Sequence, residues 1–356
     1  MTVSVSALDS SDISAECAVL ISQQTGEVIF KKNAYKHHSM ASTTKIMTSL
    51  LAAQSGKLHD EITVSKEMIL VEGTSMGLLP GDSVSLYELI YGMLLPSGND
   101  AANVTAYYLG GNVENFVKKM NAKAKEIGME NTNFVTPSGL DDEMHYSTAY
   151  DMALLGRYAI GDPVFRSVCS SKKASLSYGN PPYKRTLYNH NRLLESYKYA
   201  LGIKTGFTKK SGRCLVSYAE KDGTGLIAVT LNAPNDWNDH KLMLDYGFSK
   251  LKRYVFKPVI PEYMDVVGGN VEKLKISCEQ FEYDSLEHRN VIQKLVIDKF
   301  AYAPIKKSDK LGEVMLYLDG SYIGSTDICA AEDVGLLIQK QEEKSFFQRI
   351  KERFLK

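Results

Sequence analysis

Strand patterns at both ends of a long N-terminal region enclose a helix-rich stretch, and this order restricts the possible folds most strongly. Residues 17–31, CAVLISQQTGEVIFK, contain two apolar runs around Gln23–Gly26 and predict a β-hairpin. After Lys172, β-like runs return in KASLSYG, RCLVSYAE and GLIAVTLNA. We therefore predict an α/β (α+β) domain in which strands from both ends form one antiparallel sheet, with covering helices and a helical subdomain.

Helical spacing of apolar residues dominates the region between these strands. A helix is predicted over residues 42–54, with a buried face formed by Ile46, Met47, Leu50 and Leu51. The same spacing continues through TAYDMALLGRYAI and returns later in WNDHKLMLDYGFSKL. These segments are the candidates for the helices that cover the sheet and form the subdomain.

The composition changes near Pro258 and Pro261. From there, short strands alternate with turns, and Asp319-Gly320 lies between two alternating runs, which is a strong signal for a two-residue hairpin turn. We predict a first domain over residues 1–257 and a small all-β domain over residues 258–338.

The final segment, residues 339–356, has a different pattern. On a helix, Phe346, Phe347, Ile350 and Phe354 fall within an arc of about 100°, with basic residues mostly outside it. We expect a C-terminal amphipathic helix that lies on a membrane surface, because it is too short to cross one. The alternative is that it packs on the β domain or on a partner helix.

The overall composition excludes several classes of function. The chain has 42 basic and 42 acidic residues, so it lacks the basic excess of a nucleic-acid-binding protein. Its five cysteines are scattered and its histidines form no HxxxH pair, so we predict free thiols, no metal site and no cofactor. No leader peptide is visible in the first residues, and we expect that one has been removed.

Ser42 and Lys45 form the first chemical motif. Three residues apart on a helix, their side chains share a face, so the amine could take the hydroxyl proton. The spacing recurs at Ser170/Lys173 and Ser249/Lys252, but only Ser42 is followed directly by an amphipathic helix.

Two further motifs follow in order. Ser97-Gly98-Asn99 lies at a break between helical runs, and Lys204-Thr205-Gly206 leads into strand-like sequence. SxxK, SxN and KTG in this order are the signature of penicillin-recognising serine acyl transferases.

The chain closely resembles the D-alanyl-D-alanine carboxypeptidases, the low-molecular-mass penicillin-binding proteins of bacterial cell-wall metabolism. Beyond the motifs, the resemblance extends to TGEVIFKKNA, SGLD, HYSTAYDMA, NHNRLL, SGRCLVSYA, LDYGF and APIKKSDKLGEVMLYLDG. It implies a penicillin-binding transpeptidase/β-lactamase-like domain and release of the terminal D-alanine of a peptidoglycan pentapeptide, with β-lactams as inhibitors. It also implies an extracytoplasmic enzyme at the outer face of the membrane.

The resemblance implies specific catalytic roles. Ser42 would be the nucleophile and Lys45 its base, which requires a neutral lysine; burial and a second ammonium, from Lys204, would lower its pKa. Ser97 would pass the proton to the leaving amine, and Asn99 would present its amide to the substrate backbone.

The same resemblance implies the substrate contacts. Thr205 and Lys204 would hold the terminal carboxylate, and Gly206 would let substrate lie along the strand edge. The backbone N–H groups of Ser42 and Phe207 would form the oxyanion hole. Any additional cation for the carboxylate stays open among three candidates, Lys209, Lys210 and Arg213.

Two alternative functions use the same motifs. A class A-like β-lactamase needs a glutamate that positions the deacylating water, but no E-x-x-L-N occurs between the second and third motifs. A non-enzymatic wall-binding or β-lactam-sensing module would not need a deprotonated lysine. We therefore predict the carboxypeptidase.

Overall fold

A computed structural model describes residues 8–337 of the chain. The predicted tail helix, residues 339–356, lies outside the described residues. The described chain divides into two compact units, one reaching Lys252 and including Asp284–His288, the other comprising Arg253–Tyr283 and the residues from Arg289 onward. The division therefore falls slightly before the predicted boundary at residue 258.

The first unit combines one main sheet, two small two-stranded sheets and helices. Its strands are β1 (Cys17–Ser22), β2 (Val28–Lys32), β3 (Glu61–Thr63), β4 (Ser83–Ser85), β5 (Lys173–Gly179), β6 (Pro182–Tyr188), β7 (Ala200–Thr208), β8 (Gly212–Lys221) and β9 (Thr224–Leu231). Its helices are α1 (Lys45–Ala53), α2 (Leu86–Leu94), α3 (Asn99–Gly110), α4 (Val113–Ile127), α5 (Ala149–Ile160), α6 (Pro163–Cys169), α7 (Leu193–Ser196) and α8 (Asp236–Lys250).

The main sheet has the strand order β2-β1-β9-β8-β7, and its neighbouring strands are antiparallel. This confirms the predicted hairpin and the predicted sheet from both ends of the region. All residues of β1 are buried, because α5 packs on the face with Val19 and Ile21 and α8 on the face with Leu20. A strand that is buried on both faces has a nearly continuous apolar sequence, and CAVLIS shows this pattern.

The helix predicted over residues 42–54 begins later than expected. A 3₁₀ helix covers Ala41–Thr44, and the α-helix starts at Lys45. Of the predicted buried face, Ile46, Met47 and Leu50 are buried, whereas Leu51 is only partly covered. Ser42 therefore lies in the tight turn before the α-helix, and the helix prediction was wrong for its first three residues.

The second unit is all β. Its strands are β10 (Lys252–Phe256), β11 (Tyr263–Val267), β12 (Lys273–Cys278), β13 (Phe281–Ser285), β14 (Val291–Ile297), β15 (Phe300–Tyr302), β16 (Lys310–Leu318) and β17 (Ser321–Ala330), of which β10 and β13 extend into the first unit at one end. Six of them form a sheet in the order β14-β16-β17-β12-β11-β15. Asp319 and Gly320 have φ angles of 49° and 81°, as a type I′ hairpin turn requires, which confirms the predicted turn.

Within residues 8–337, no helix is both long enough and apolar enough to cross a bilayer.

Candidate active site

The turn that carries Ser42 is held by a close backbone approach. Ala41 adopts a left-handed conformation with φ 47°. Gly139, with φ +87°, lies so close that a Cβ placed there would be 1.9 Å from the Ala41 carbonyl oxygen. Only glycine fits at this position, so the SGLD segment fixes the backbone just before Ser42.

Lys45 is completely buried beside Ser42. Its Nζ lies 2.9 Å from Ser42 Oγ and 2.7 Å from the carbonyl oxygen of Ser138. Burial lowers the pKa of Lys45 well below its ordinary value, and the charge of Lys204 lowers it further, against an opposing effect of Asp100. A neutral amine can donate to Ser138 and accept the proton of Ser42.

Lys204 is the second buried cation, at 1 % exposure on β7, an edge strand of the main sheet. Its Nζ donates to the carbonyl oxygen of Thr205 at 2.9 Å. Burial lowers the pKa of Lys204 to about 7. Two lysines from distant parts of the chain are thus buried in the same unit, and the charge of Lys204 acts on Lys45.

Gly206 lets β7 approach the turn of Ser42. A Cβ at Gly206 would lie 3.1 Å from the backbone nitrogen of Ser42 and from the carbonyl oxygen of Met40. The next residue, Phe207, is 65 % exposed at the groove. The edge of β7 therefore runs directly along the segment that carries the serine.

The SGN motif forms the connection between α2 and α3. Ser97 has φ 66°, and its carbonyl oxygen accepts a hydrogen bond from Thr74 Oγ1 at 2.5 Å. Asn99 Nδ2 donates to the carbonyl oxygen of Glu72 at 2.7 Å. Asn99 Oδ1 is buried and has no hydrogen-bond partner among the described residues. The amide is therefore oriented, with its oxygen left available.

Asp100 is a site residue that the motif analysis missed. Its carboxylate accepts from Ser75 Oγ at 2.5 Å and from the N–H groups of Met76, Gly77 and Leu78 at 2.9–3.1 Å. It lies in the first turn of α3, where a negative charge is favourable. The signal that could have identified Asp100 was an aspartate directly after SGN. Its carboxylate attaches the loop of residues 75–78 to the motif.

A groove of about 830 Å³ connects these groups. Six of the predicted residues line it, whereas Lys45 and Lys204 are buried and do not; the six are Ser42, Ser97, Asn99, Thr205, Gly206 and Phe207. Glu72, Thr74 and Ser138 also line the groove and had no predicted role.

Two of the three candidate carboxylate cations reach this groove. Lys209 and Arg213 line it, whereas Lys210 is not among the lining residues. Arg213 donates to one oxygen of Asp236 through Nε at 3.0 Å and Nη2 at 2.8 Å, and its guanidinium lies 5.4 Å from the ring centroid of Trp237. Arg213 is thus a groove cation already engaged by a buried carboxylate.

Two histidines lie near the site. His145 Nδ1 accepts from the N–H of Val135 at 2.9 Å, so Nε2 carries the proton and donates to Thr44 Oγ1 at 2.8 Å. Burial lowers the pKa of His145 to about 4, which keeps it neutral and structural. His190 lines the groove, and burial together with Lys204 lowers its pKa.

No cluster of three or more metal-ligating side chains occurs among residues 8–337.

Comparison with known proteins assigns the family. A family model for D-alanyl-D-alanine carboxypeptidases matches residues 2–235, and a model for the C-terminal domain of penicillin-binding protein 5 matches residues 258–336. The chain belongs to the D-alanyl-D-alanine carboxypeptidase family. It is therefore a serine peptidase, and the recognition made from the motifs is confirmed.

Individual relatives support this assignment over most of the chain. The D-alanyl-D-alanine carboxypeptidase DacF of Bacillus subtilis is 35% identical, covering 90% of this chain and 86% of its own. DacC of Escherichia coli is 31% identical, covering 96% and 88%. The crystal structure of penicillin-binding protein 5 from Haemophilus influenzae superimposes with a TM-score of 0.67 at 28% identity, covering 92% of this chain and 100% of that one.

These findings also confirm the predicted activity, a D-alanyl-D-alanine carboxypeptidase of cell-wall metabolism. The family's fold, antiparallel sheets with helices and a C-terminal β domain, agrees with the predicted architecture of the described residues.

Proposed function

We propose that this carboxypeptidase acts through an acyl-enzyme on Ser42, with Lys45 as the base. The observation that carries the proposal is the 2.9 Å separation of Lys45 Nζ and Ser42 Oγ in an interior that disfavours the ammonium form. A serine hydroxyl becomes an effective nucleophile when an adjacent base removes its proton during attack. A lysine with a lowered pKa meets that requirement near neutral pH.

The proposed substrate is the stem peptide of peptidoglycan ending in D-alanyl-D-alanine. Ser42 Oγ attacks the carbonyl carbon between the last two residues, and its proton passes to Lys45. Ser97, which lines the same groove, relays a proton to the departing amine of D-alanine. Water then hydrolyses the ester and regenerates Ser42.

The substrate backbone is proposed to extend along β7. An edge strand has unpaired N–H and C=O groups, and Gly206 keeps this strand close to Ser42. The N–H groups of Ser42 and Phe207 are proposed to bind the developing oxyanion. Asn99 offers its free Oδ1 and its remaining N–H to the peptide.

The terminal carboxylate is proposed to bind Thr205 and Lys204. Lys204 retains a charge at and below pH of about 7, where its pKa lies. Arg213 is the better placed of the additional cations, because it lines the groove from the neighbouring strand, where it pairs with Phe207, two residues from Thr205. In this proposal the substrate carboxylate shares Arg213 with Asp236.

The site is tested by labelling with a fluorescent penicillin and by assaying free D-alanine from diacetyl-Lys-D-Ala-D-Ala. Ser42→Ala is expected to abolish labelling and to reduce release by about 10⁴-fold or more. Ser249→Ala, at a Ser-x-x-Lys spacing outside the groove, is the matched control and should behave as wild type. Equal labelling of wild type and Ser42→Ala would refute the acyl-enzyme.

The same assays distinguish the alternative functions. Fast penicillin hydrolysis would favour a β-lactamase-like enzyme. Absence of both D-alanine release and penicillin hydrolysis would favour a wall-binding or β-lactam-sensing module.

Members of this family are extracytoplasmic cell-wall enzymes. We further propose that this chain works at the outer face of the cytoplasmic membrane, with residues 339–356 as an amphipathic anchor. The sequence pattern of that segment supports this proposal. Flotation with liposomes should be lost when residues 342–356 are deleted, and unchanged flotation would refute a membrane role.

A further inference from the structure

Hydrolysis of the acyl-enzyme needs a water held near the Ser42 ester and near a base. The chain has no E-x-x-L-N glutamate between its second and third motifs to perform that task. A bound water needs at least two polar partners in a site that is otherwise closed. A buried polar group of the groove that has no partner and no role in acylation could hold this water.

Ser138 has these properties. Among the described residues, two side-chain hydroxyl oxygens are buried without a hydrogen-bond partner, Ser138 Oγ and Ser217 Oγ. Ser138 lines the groove together with Ser42, whereas Ser217 lies within β8 and does not. Leaving a buried hydroxyl unpaired is unfavourable, so Ser138 Oγ is a candidate partner for a bound water.

The backbone around Ser138 is fixed against α1. Thr48 Oγ1 donates to the carbonyl oxygen of Pro137 at 2.6 Å, and Lys45 Nζ donates to that of Ser138 at 2.7 Å. Gly139 is packed on Ala41, as described above. Three consecutive residues are thus held, so the position of the Ser138 side chain is set before substrate arrives.

Lys45 connects this segment to the nucleophile, because the same Nζ contacts Ser42 Oγ and the Ser138 carbonyl oxygen. A water bonded to both the Ser138 hydroxyl and the Lys45 amine would have two polar partners, one of which already contacts Ser42 Oγ. Asn99, which also lines the groove, has a further unpartnered acceptor in its Oδ1.

We propose that the Ser138 hydroxyl is a positioning residue that holds the hydrolytic water for deacylation. The inference rests on the proposed role of Ser42. Lys45 takes one proton from the water while the water oxygen bonds to the acyl carbon, and the bond from that carbon to Ser42 Oγ breaks. Lys45 returns the proton to Ser42 Oγ, and the released carboxylic acid loses its proton to solvent.

The test separates acylation from deacylation. Enzyme is labelled with a fluorescent penicillin, excess reagent is removed, and the decay of the label is followed in wild type and in the Ser138→Ala, Ser138→Thr and Ser217→Ala variants. For Ser138→Ala we expect labelling within about twofold of wild type and decay slower by on the order of tenfold, the effect of one lost hydrogen bond. With diacetyl-Lys-D-Ala-D-Ala, kcat and KM should fall together while kcat/KM is retained, because kcat/KM reports acylation.

The other variants are the controls. Ser138→Thr keeps a hydroxyl and should decay near the wild-type rate, and Ser217→Ala removes an equivalent unpartnered hydroxyl away from the groove and should change neither step. The proposal is overturned if Ser138→Ala decays as fast as wild type, if acylation falls as much as deacylation, or if neither Ser138 variant is labelled. Absence of label in wild type would instead refute the acyl-enzyme on Ser42 itself.

Discussion

The two units differ in the types of residue that they bury. The first unit contains all of the described polar and charged residues that are buried, including Lys45, Lys204 and Asp100. In the second unit, every described lysine is exposed and the buried core is apolar apart from Tyr283, with residues such as Leu274, Val314 and Leu316. Burying charges is costly, so such groups are retained where they serve chemistry. The contrast indicates a reactive unit and a unit whose residues serve packing.

The strongest test of this contrast exchanges one lysine in each unit for methionine, which has a similar length and no charge. Lys45→Met should reduce D-alanine release by about 10²–10⁴-fold, because the base is lost. Lys294→Met, at an exposed position of β14, should leave release unchanged. Steady-state assays of both variants measure this. Comparable losses in the two would contradict the contrast.

A second test compares two glycines with positive φ. Gly139→Ala places a Cβ 1.9 Å from the Ala41 carbonyl oxygen, so we expect the turn of Ser42 to shift and release to fall by about 10²-fold. Gly320→Ala, with φ +81° and no atom within 4 Å of the new Cβ, should cost only about 1–2 kcal/mol of stability.

Both glycine variants are compared by penicillin labelling and by thermal unfolding. If Gly139→Ala acylated at the wild-type rate, the close approach would be irrelevant to the site.

The pH dependence tests the burial of Lys204. Its pKa is lowered from 10.5 to about 7, so the ammonium that binds the substrate carboxylate is lost as pH rises above that value. We expect KM to increase by up to about tenfold per pH unit above pH 7. A substrate whose terminal carboxylate is an amide should show no such increase, and an equal increase for both would contradict the assignment.

Raising the pH weakens substrate binding by Lys204, but it increases the contribution of Lys204 to folding stability. Between pH of about 7 and 10.5 the unfolded chain holds a proton on Lys204 that the folded chain has released. The contribution of this residue to stability therefore rises with pH through that window.

The smallest effect on activity is expected from the core of the second unit. Leu316→Ala should lower the stability of that unit by about 2–5 kcal/mol while D-alanine release at 25 °C stays unchanged. Leu295→Ala, at an exposed position of β14, is the control and should change neither quantity appreciably. Calorimetry and the release assay are the measurements. A loss of release that parallels the loss of stability would show that the units are functionally inseparable.

The sequence predicted the features that depend on local patterns. Cys17–Ser22 is recognisable because a strand covered on both faces is uniformly apolar, and Asp319-Gly320 because both residues tolerate positive φ. The three motifs led to the groove because their order along the chain is specific. The lowered pKa of Lys45 was expected from its burial and from the charge of Lys204.

Other features depend on contacts between distant segments and could not be read in advance. The bond from Lys45 to the Ser138 carbonyl joins residues 93 positions apart. Ser138 appeared only as part of the SGLD resemblance, and Asp100 only as the residue after a motif. The 3₁₀ turn at Ala41–Thr44 was missed because its geometry is imposed by Gly139 and β7 rather than by local propensity.

The carboxylate of Asp100 has a consequence for how enzymes of this kind can diversify. Three successive peptide N–H groups and a serine hydroxyl converge on it, one position after Asn99. A change of loop length within residues 75–78 would break these hydrogen bonds, and the start of α3 would lose its attachment to the loop. Variation in what the enzyme admits is therefore expected at the exposed side chain of Glu72, which borders the groove without bonding to Asp100, whereas Gly73 is restricted to glycine by its φ of +92° and by the adjacent Asn99 amide.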